Sequence, residues 1–97
     1  ENLSLIFHEL SVVDLKINIM QNSAISFSIV VDNQHMKIER VIDKLKAHFE
    51  IRYNTGLKLT TIKNYTPSKL KEYAKQDNIL LEQISRNNYR ILTSPEV

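Results

Sequence analysis

The stretch from Leu15 to Val31 leaves this chain few folds. Leu15, Ile17 and Ile19 alternate with Lys16, Asn18 and Met20; further on, Ile25, Phe27, Ile29 and Val31 alternate with Ser26, Ser28 and Val30. Period-two alternation sends successive side chains to opposite faces, so each run reads as a strand with one buried face. Between them, Gln21-Asn22-Ser23-Ala24 reads as a tight polar turn. The alternation projects Asn18 to the face opposite Leu15, Ile17 and Ile19. Amides and a hydroxyl donate and accept hydrogen bonds without carrying charge, which suits a small zwitterion and equally suits an ordinary hairpin turn.

The elements around this hairpin follow from spacing. Leu3, Ile6, Phe7 and Leu10 predict a helix over 2–12, and Ile38, Val41, Ile42, Leu45 and Phe49 predict another from Met36 to Phe49. Ile51 to Tyr53 reads as a short strand, Asn54-Thr55-Gly56 as a turn, and Leu57 to Tyr65 as a strand rich in Leu, Thr and Ile. Thr66-Pro67 marks a helix start, with Thr as N-cap and Pro at the first helical position. That helix carries Leu70, Tyr73 and Ala74 and stops near Asp77-Asn78. Ile79 to Ser85 and Tyr89 to Thr93 read as a second hairpin, with Asn87 and Asn88 suited to positive φ in its turn.

Helix, strand, turn, strand thus occurs at 2–31 and again at 67–93, the turns aligning as Gln21-Asn22-Ser23-Ala24 with Ser85-Arg86-Asn87-Asn88. The pattern predicts an α+β ferredoxin-like sandwich with helices on one face of the sheet. Each copy is incomplete. The first lacks a strand before its helix, and the second lacks a closing helix and strand. An open sheet edge is a liability, so further chain or a partner copy is expected to cover it. The opening Glu-Asn-Leu, without Met, predicts a piece of a longer polypeptide.

Composition narrows the function. At 97 residues the chain makes one compact domain or two small units sharing a core. A net charge of +2, with acidic residues interleaved among the basic ones, argues against a nucleic-acid stripe. A single glycine excludes the glycine-rich loops that cradle phosphate. No apolar stretch approaches the roughly 18 residues of a membrane span, and no secretory leader is legible. Absence of cysteine fits a cytoplasmic setting. His8, His35 and His48 lack metal-ligand spacing, Glu9 and Glu82 lack partners for acid–base work, and Ser23, Ser26 and Ser28 lie near no histidine. Tyr53, Tyr65, Tyr73 and Tyr89 are scattered and read as packing residues. No catalytic or metal-binding residue is therefore expected.

Four segments, ENLSLIF, MQNSAISFSIVVD, LKAHFEIRYNTGLKLTTI and LLEQISRNN, carry a resemblance over nearly the whole chain. They resemble the C-terminal regulatory region of aspartokinases, a pair of ACT domains of βαββαβ fold. The resemblance implies a first ACT domain over 1–55 lacking its first strand, and a second, partial one over 56–97. It implies a non-catalytic module of a kinase that phosphorylates aspartate on the way to lysine, threonine and methionine. ATP and magnesium would belong to an N-terminal kinase domain, with no cofactor in this part. An end-product amino acid, lysine, threonine or methionine, would bind between paired ACT domains of a homodimer. By position its contacts fall on Asn18, Gln21, Asn22, Ser23, Ala24 and Ile25. Ser23 matches the family serine of the turn. Asn18 stands where aspartate is frequent, and Ala24 where glutamate is frequent in lysine-sensitive members, which removes two obvious partners for an ammonium group. Two other readings remain: a dimerisation module with a vestigial effector site, and an RNA-binding ferredoxin-like domain. The latter needs stacking aromatics on its central strands, where only Phe27 is available.

Overall fold

Leu3–Val12 forms helix α1 in the computed structural model, which describes residues 3–95. The predicted helical start at residue 2 lies outside the described residues. The helix ends in a left-handed cap at Asp14 (φ 55°). The Leu15 N–H donates to the Leu10 carbonyl at 3.0 Å and the Asp14 N–H to the Ser11 carbonyl at 3.1 Å. This is a Schellman arrangement, and its accompanying apolar contact is present because Leu10 and Leu15 are both buried in one cluster.

Strands β1 (Ile17–Asn22) and β2 (Phe27–Val31) pair antiparallel. Asn22 lies opposite Phe27, so the turn is Ser23-Ala24-Ile25-Ser26, two residues later than the polar block predicts. Gln21 and Asn22 belong to the ladder, since backbone pairing is indifferent to a polar side chain that stays exposed. The predicted alternation is also interrupted. Ile17 lies opposite Val31 and Ile19 opposite Val30, so Asn18 is the extra residue of a β-bulge. Ile17 packs with Phe27, Ile29 and Val31 against the helices. Ile19 shares the opposite face with Val30 and is buried there. Leu15, Ile17 and Ile19 therefore do not share one face.

Helix α2 (His35–Leu45) closes the core with Val41 and Leu45, which join Ile6, Leu10 and Leu15. It stops four residues before the predicted end, and Phe49 follows in a turn that donates its N–H to the Leu45 carbonyl. Ile51 is half-buried against the same core, and the predicted strand over 51–53 is not formed.

The chain divides into two compact units, Glu1–Tyr53 and Asn54–Val97. In the second, β3 (Lys58–Lys63), helix α3 (Pro67–Ala74), β4 (Ile79–Ile84) and β5 (Asn88–Thr93) follow one another. The strand order is β3-β5-β4, with β5 antiparallel to both neighbours. β3 and β4 therefore run parallel on either side of β5, joined by α3, which is a split βαβ arrangement. Thr66 caps α3 as its sequence predicts, its hydroxyl accepting from the Lys69 N–H at 3.2 Å with Pro67 beside it. β5 is the most enclosed strand: Tyr89, Ile91, Leu92 and Thr93 are all buried. Together the elements make a small α+β fold of two antiparallel sheets and three helices, compatible with a ferredoxin-like arrangement.

The two hairpins are copies in register, position for position. Ile17 opposite Val31 recurs as Ile79 opposite Thr93, Ile19 opposite Val30 as Leu81 opposite Leu92, and Asn22 opposite Phe27 as Ile84 opposite Tyr89. The bulge recurs at the same place, between Ile79 and Leu81. Ser23 thus corresponds to Ser85, which shifts the predicted alignment of the turns by two residues.

Candidate functional site

The predicted effector residues lie on the first hairpin, and its tip is built from serine. The Ser23 N–H donates to the Ser26 carbonyl at 2.8 Å. Ser23 Oγ accepts from the Ser26 N–H at 3.1 Å and lies 2.8 Å from Ser26 Oγ. A serine whose hydroxyl closes the turn reproduces with a side chain the bond a tighter backbone turn would make. The second tip is made the same way. The Ser85 N–H donates to the Asn88 carbonyl at 2.9 Å, and Ser85 Oγ accepts from the Asn88 N–H at 3.1 Å. Neither Asn87 nor Asn88 adopts the positive φ expected of a two-residue turn, because four residues span the gap.

The six candidate residues divide into three groups. Ser23, Ala24 and Ile25 form the exposed tip, with Ile25 97% exposed. Gln21 and Asn22 are neighbours in the ladder and present to opposite faces, Gln21 beside Ser28 and Asn22 beside Phe27. Asn18 sits at the far end of β1, roughly 15 Å from the tip at about 3.3 Å per residue. There its Nδ2 donates to Asp32 Oδ1 at 2.8 Å.

Asp32 is the residue that sequence reasoning missed. Read along the chain it belongs to the polar break before α2. In the hairpin it follows Val31, which lies opposite Ile17, and this brings its carboxylate to the bulge. Knowing the register would have found it. A carboxylate thus stands beside Asn18 although Asn18 is itself neutral, and such a group can receive an ammonium.

Elsewhere, an open cleft of about 370 Å³ lies between the end of α1 and the start of α2, lined by Val12, Val13, Met36, Lys37 and Arg40. Lys37 Nζ donates to the Asp14 carbonyl at its rim, at 3.2 Å. None of the six candidate residues lines this cleft. Among the described residues no group of three or more His, Asp or Glu side chains is placed to hold a metal ion, and no helix is long and apolar enough to cross a membrane. No family model, curated protein or solved structure matches the chain.

Proposed function

We propose that the chain is the regulatory region of an aspartokinase, a pair of ACT units that binds an end-product amino acid and controls phosphorylation of aspartate by a kinase domain of the same polypeptide. The observation that carries the reading is the duplicated hairpin, with register, bulge and serine-closed turn all repeated. Asp32 beside Asn18 supplies a carboxylate for the effector's amino group. Gln21, Asn22, Ser23, Ala24 and Ile25 offer backbone and amide groups towards the tip, roughly 15 Å from Asn18 at the far end of β1, a separate contact region that the same amino acid molecule does not span from Asp32. The bound amino acid acts by preferring one arrangement of subunits in a cytoplasmic homodimer, and it shifts activity only as far as that preference extends. ATP and magnesium serve the kinase domain.

Isothermal titration of lysine, threonine and methionine into the dimeric protein tests this. Heat is expected for one of the three and is lost in Asp32→Asn. No heat for any of them, together with undiminished kinase activity of the whole enzyme in their presence, overturns the reading.

A second reading, dimerisation with a vestigial effector site, is favoured by one observation: the Ser23 hydroxyl is already engaged inside its own turn. It predicts a dimer with no amino-acid heat. The first hairpin gives little support to the RNA-binding reading. Phe27 shares the helix-side face with Ile29 and Val31, whereas the opposite face of the first hairpin carries Ile19, Gln21, Ser28 and Val30, with no ring to stack on a base.

A further inference from the structure

Val12 and Met36 are apolar yet 57% and 83% exposed, and both line the open cleft between the end of α1 and the start of α2. Val13 is the third aliphatic residue there. The remaining lining residues, Lys37 and Arg40, are cations, and among the described residues no acidic side chain joins them. Small-molecule sites are clefts of roughly 300–1,000 Å³, mostly apolar, with a few polar groups that fix orientation. At about 370 Å³ this cleft lies at the small end of that range.

The positive charge of the cleft has a local cause. Lys37 and Arg40 stand at i and i+3 on α2, so they are neighbours on one surface of the helix. The acids of the same helix are engaged elsewhere: Glu39 Oε1 lies 3.2 Å from His35 Nε2, and Asp43 Oδ1 lies 2.9 Å from Lys46 Nζ. Lys37 Nζ donates to the Asp14 carbonyl, which holds it at the rim without neutralising it. Arg40 is exposed and makes no hydrogen bond or ion pair among the described residues. Its guanidinium is a planar fork that matches one carboxylate.

We propose that this cleft binds a small aliphatic monocarboxylate, its chain over Val12, Val13 and Met36 and its carboxylate on Arg40 beside Lys37. The chain covers apolar surface that is otherwise in water. The carboxylate relieves the repulsion between two adjacent cations. An amino group next to the carboxylate would meet the same two cations, so the site rejects the corresponding amino acid. An alkylamine is rejected for the same reason. Inorganic phosphate has no apolar part to lie on Val12 and Met36, and it binds more weakly. None of the six effector candidates lines the cleft, so binding here stands or falls independently of amino-acid binding at the hairpin.

Titration of the whole chain with hexanoate, followed by amide and methyl chemical shifts, tests the assignment. Saturable shifts are expected at Val12, Val13, Met36 and Arg40, and none there with hexylamine or norleucine. Arg40→Gln is expected to weaken hexanoate about tenfold, the loss of one charge-assisted contact. Met36→Glu sets a carboxylate of the chain itself among the cations and is expected to abolish binding. Lys71→Gln removes the same charge from α3 and is expected to leave the affinity unchanged. Both cleft substitutions fall on exposed side chains, and circular dichroism checks that the variants fold. If they do not, the comparison of hexanoate with hexylamine and norleucine on the wild type decides alone. The proposal is overturned by the absence of saturable shifts, by equal shifts with hexylamine or norleucine, or by inorganic phosphate binding as tightly as hexanoate. Wild-type affinity in Arg40→Gln, or equal weakening in Lys71→Gln, overturns it as well.

Discussion

The Tyr89 hydroxyl donates to Glu82 Oε2 at 2.5 Å, joining β5 to β4 diagonally across the second hairpin. The Tyr89 side chain is fully buried while Glu82 is exposed. Burial, and then the neighbouring carboxylate, push the phenol up to about 12 from its ordinary 10. The folded chain therefore holds this proton more tightly than the unfolded chain does. The associated stability is complete below pH 10 and is lost as pH rises towards 12. Alkaline denaturation monitored by circular dichroism is expected to show a loss on the order of 2 kcal/mol across that window. In Tyr89→Phe the slope over that window is expected to flatten, at a cost of about 1 kcal/mol near neutrality. An unchanged alkaline slope would show that the phenol is not the group responsible.

The same pair shows how the repeat diverged. In the first hairpin the corresponding positions are Phe27 and Met20, which carry neither hydroxyl nor carboxylate, and Phe27 stacks edge-on against Phe7 with ring centroids 5.9 Å apart. Tyr89 meets Tyr65 in a comparable edge contact at 6.3 Å. The ring position is common to both units, and only its polar attachment differs.

What could be read from the sequence was local. Thr66 and Pro67 start α3 because a hydroxyl and a fixed φ act on the residues beside them. The apolar spacings of α1 and α2 place Ile6, Leu10, Val41 and Leu45 in the core for the same reason. The rest depended on which strand lies beside which. The run Leu15, Ile17, Ile19 conceals the bulge at Asn18, because alternation along one strand says nothing of the count on its partner. Gln21 and Asn22 look like turn residues until Phe27 and Ser28 are found opposite them. Ile51 to Tyr53 has the composition of a strand and no partner among the described residues, so Ile51 packs instead of pairing. The Asn18–Asp32 contact is of the same kind, set by register across fourteen residues of chain.

Because the two turns are built alike, Ser23→Ala and Ser85→Ala are expected to cost similar amounts, about 1 kcal/mol each. Thermal denaturation measures the cost. Hydrogen exchange then localises it to the Ser26 and Asn88 amides, which lose their Oγ acceptors. A serine kept for an effector rather than for its turn would show little loss of stability at Ser23 and a full loss at Ser85.

Asp14 holds the left-handed position that ends α1, a conformation glycine adopts without the clash a Cβ introduces. Its backbone makes the contacts there: its N–H donates to Ser11 and its carbonyl accepts from Lys37 Nζ. Asp14→Gly retains both groups and relieves the strain. A gain of about 1 kcal/mol in chemical denaturation is expected. A loss would mean that the Asp14 carboxylate contributes more than its backbone strain costs.

Asn18→Asp tests the bulge as a place for an ammonium. The substitution exchanges the amide that donates to Asp32 for a second carboxylate within hydrogen-bond distance. Two carboxylates so close do not both ionise freely, so one of them titrates above its ordinary value in the folded variant. The resulting penalty, about 1 kcal/mol, is present at neutral pH and is relieved as pH falls through that raised value. Denaturation as a function of pH measures it against wild type. A bound cation relieves the same repulsion at neutral pH. Lysine is therefore expected to raise the melting temperature of the variant more than that of the wild type, while methionine, without a side-chain charge, leaves the difference unchanged. Equal stabilisation by both amino acids would place at Asp32 the α-ammonium they share and not the lysine side chain, and none by either would favour dimerisation as the whole role of the module.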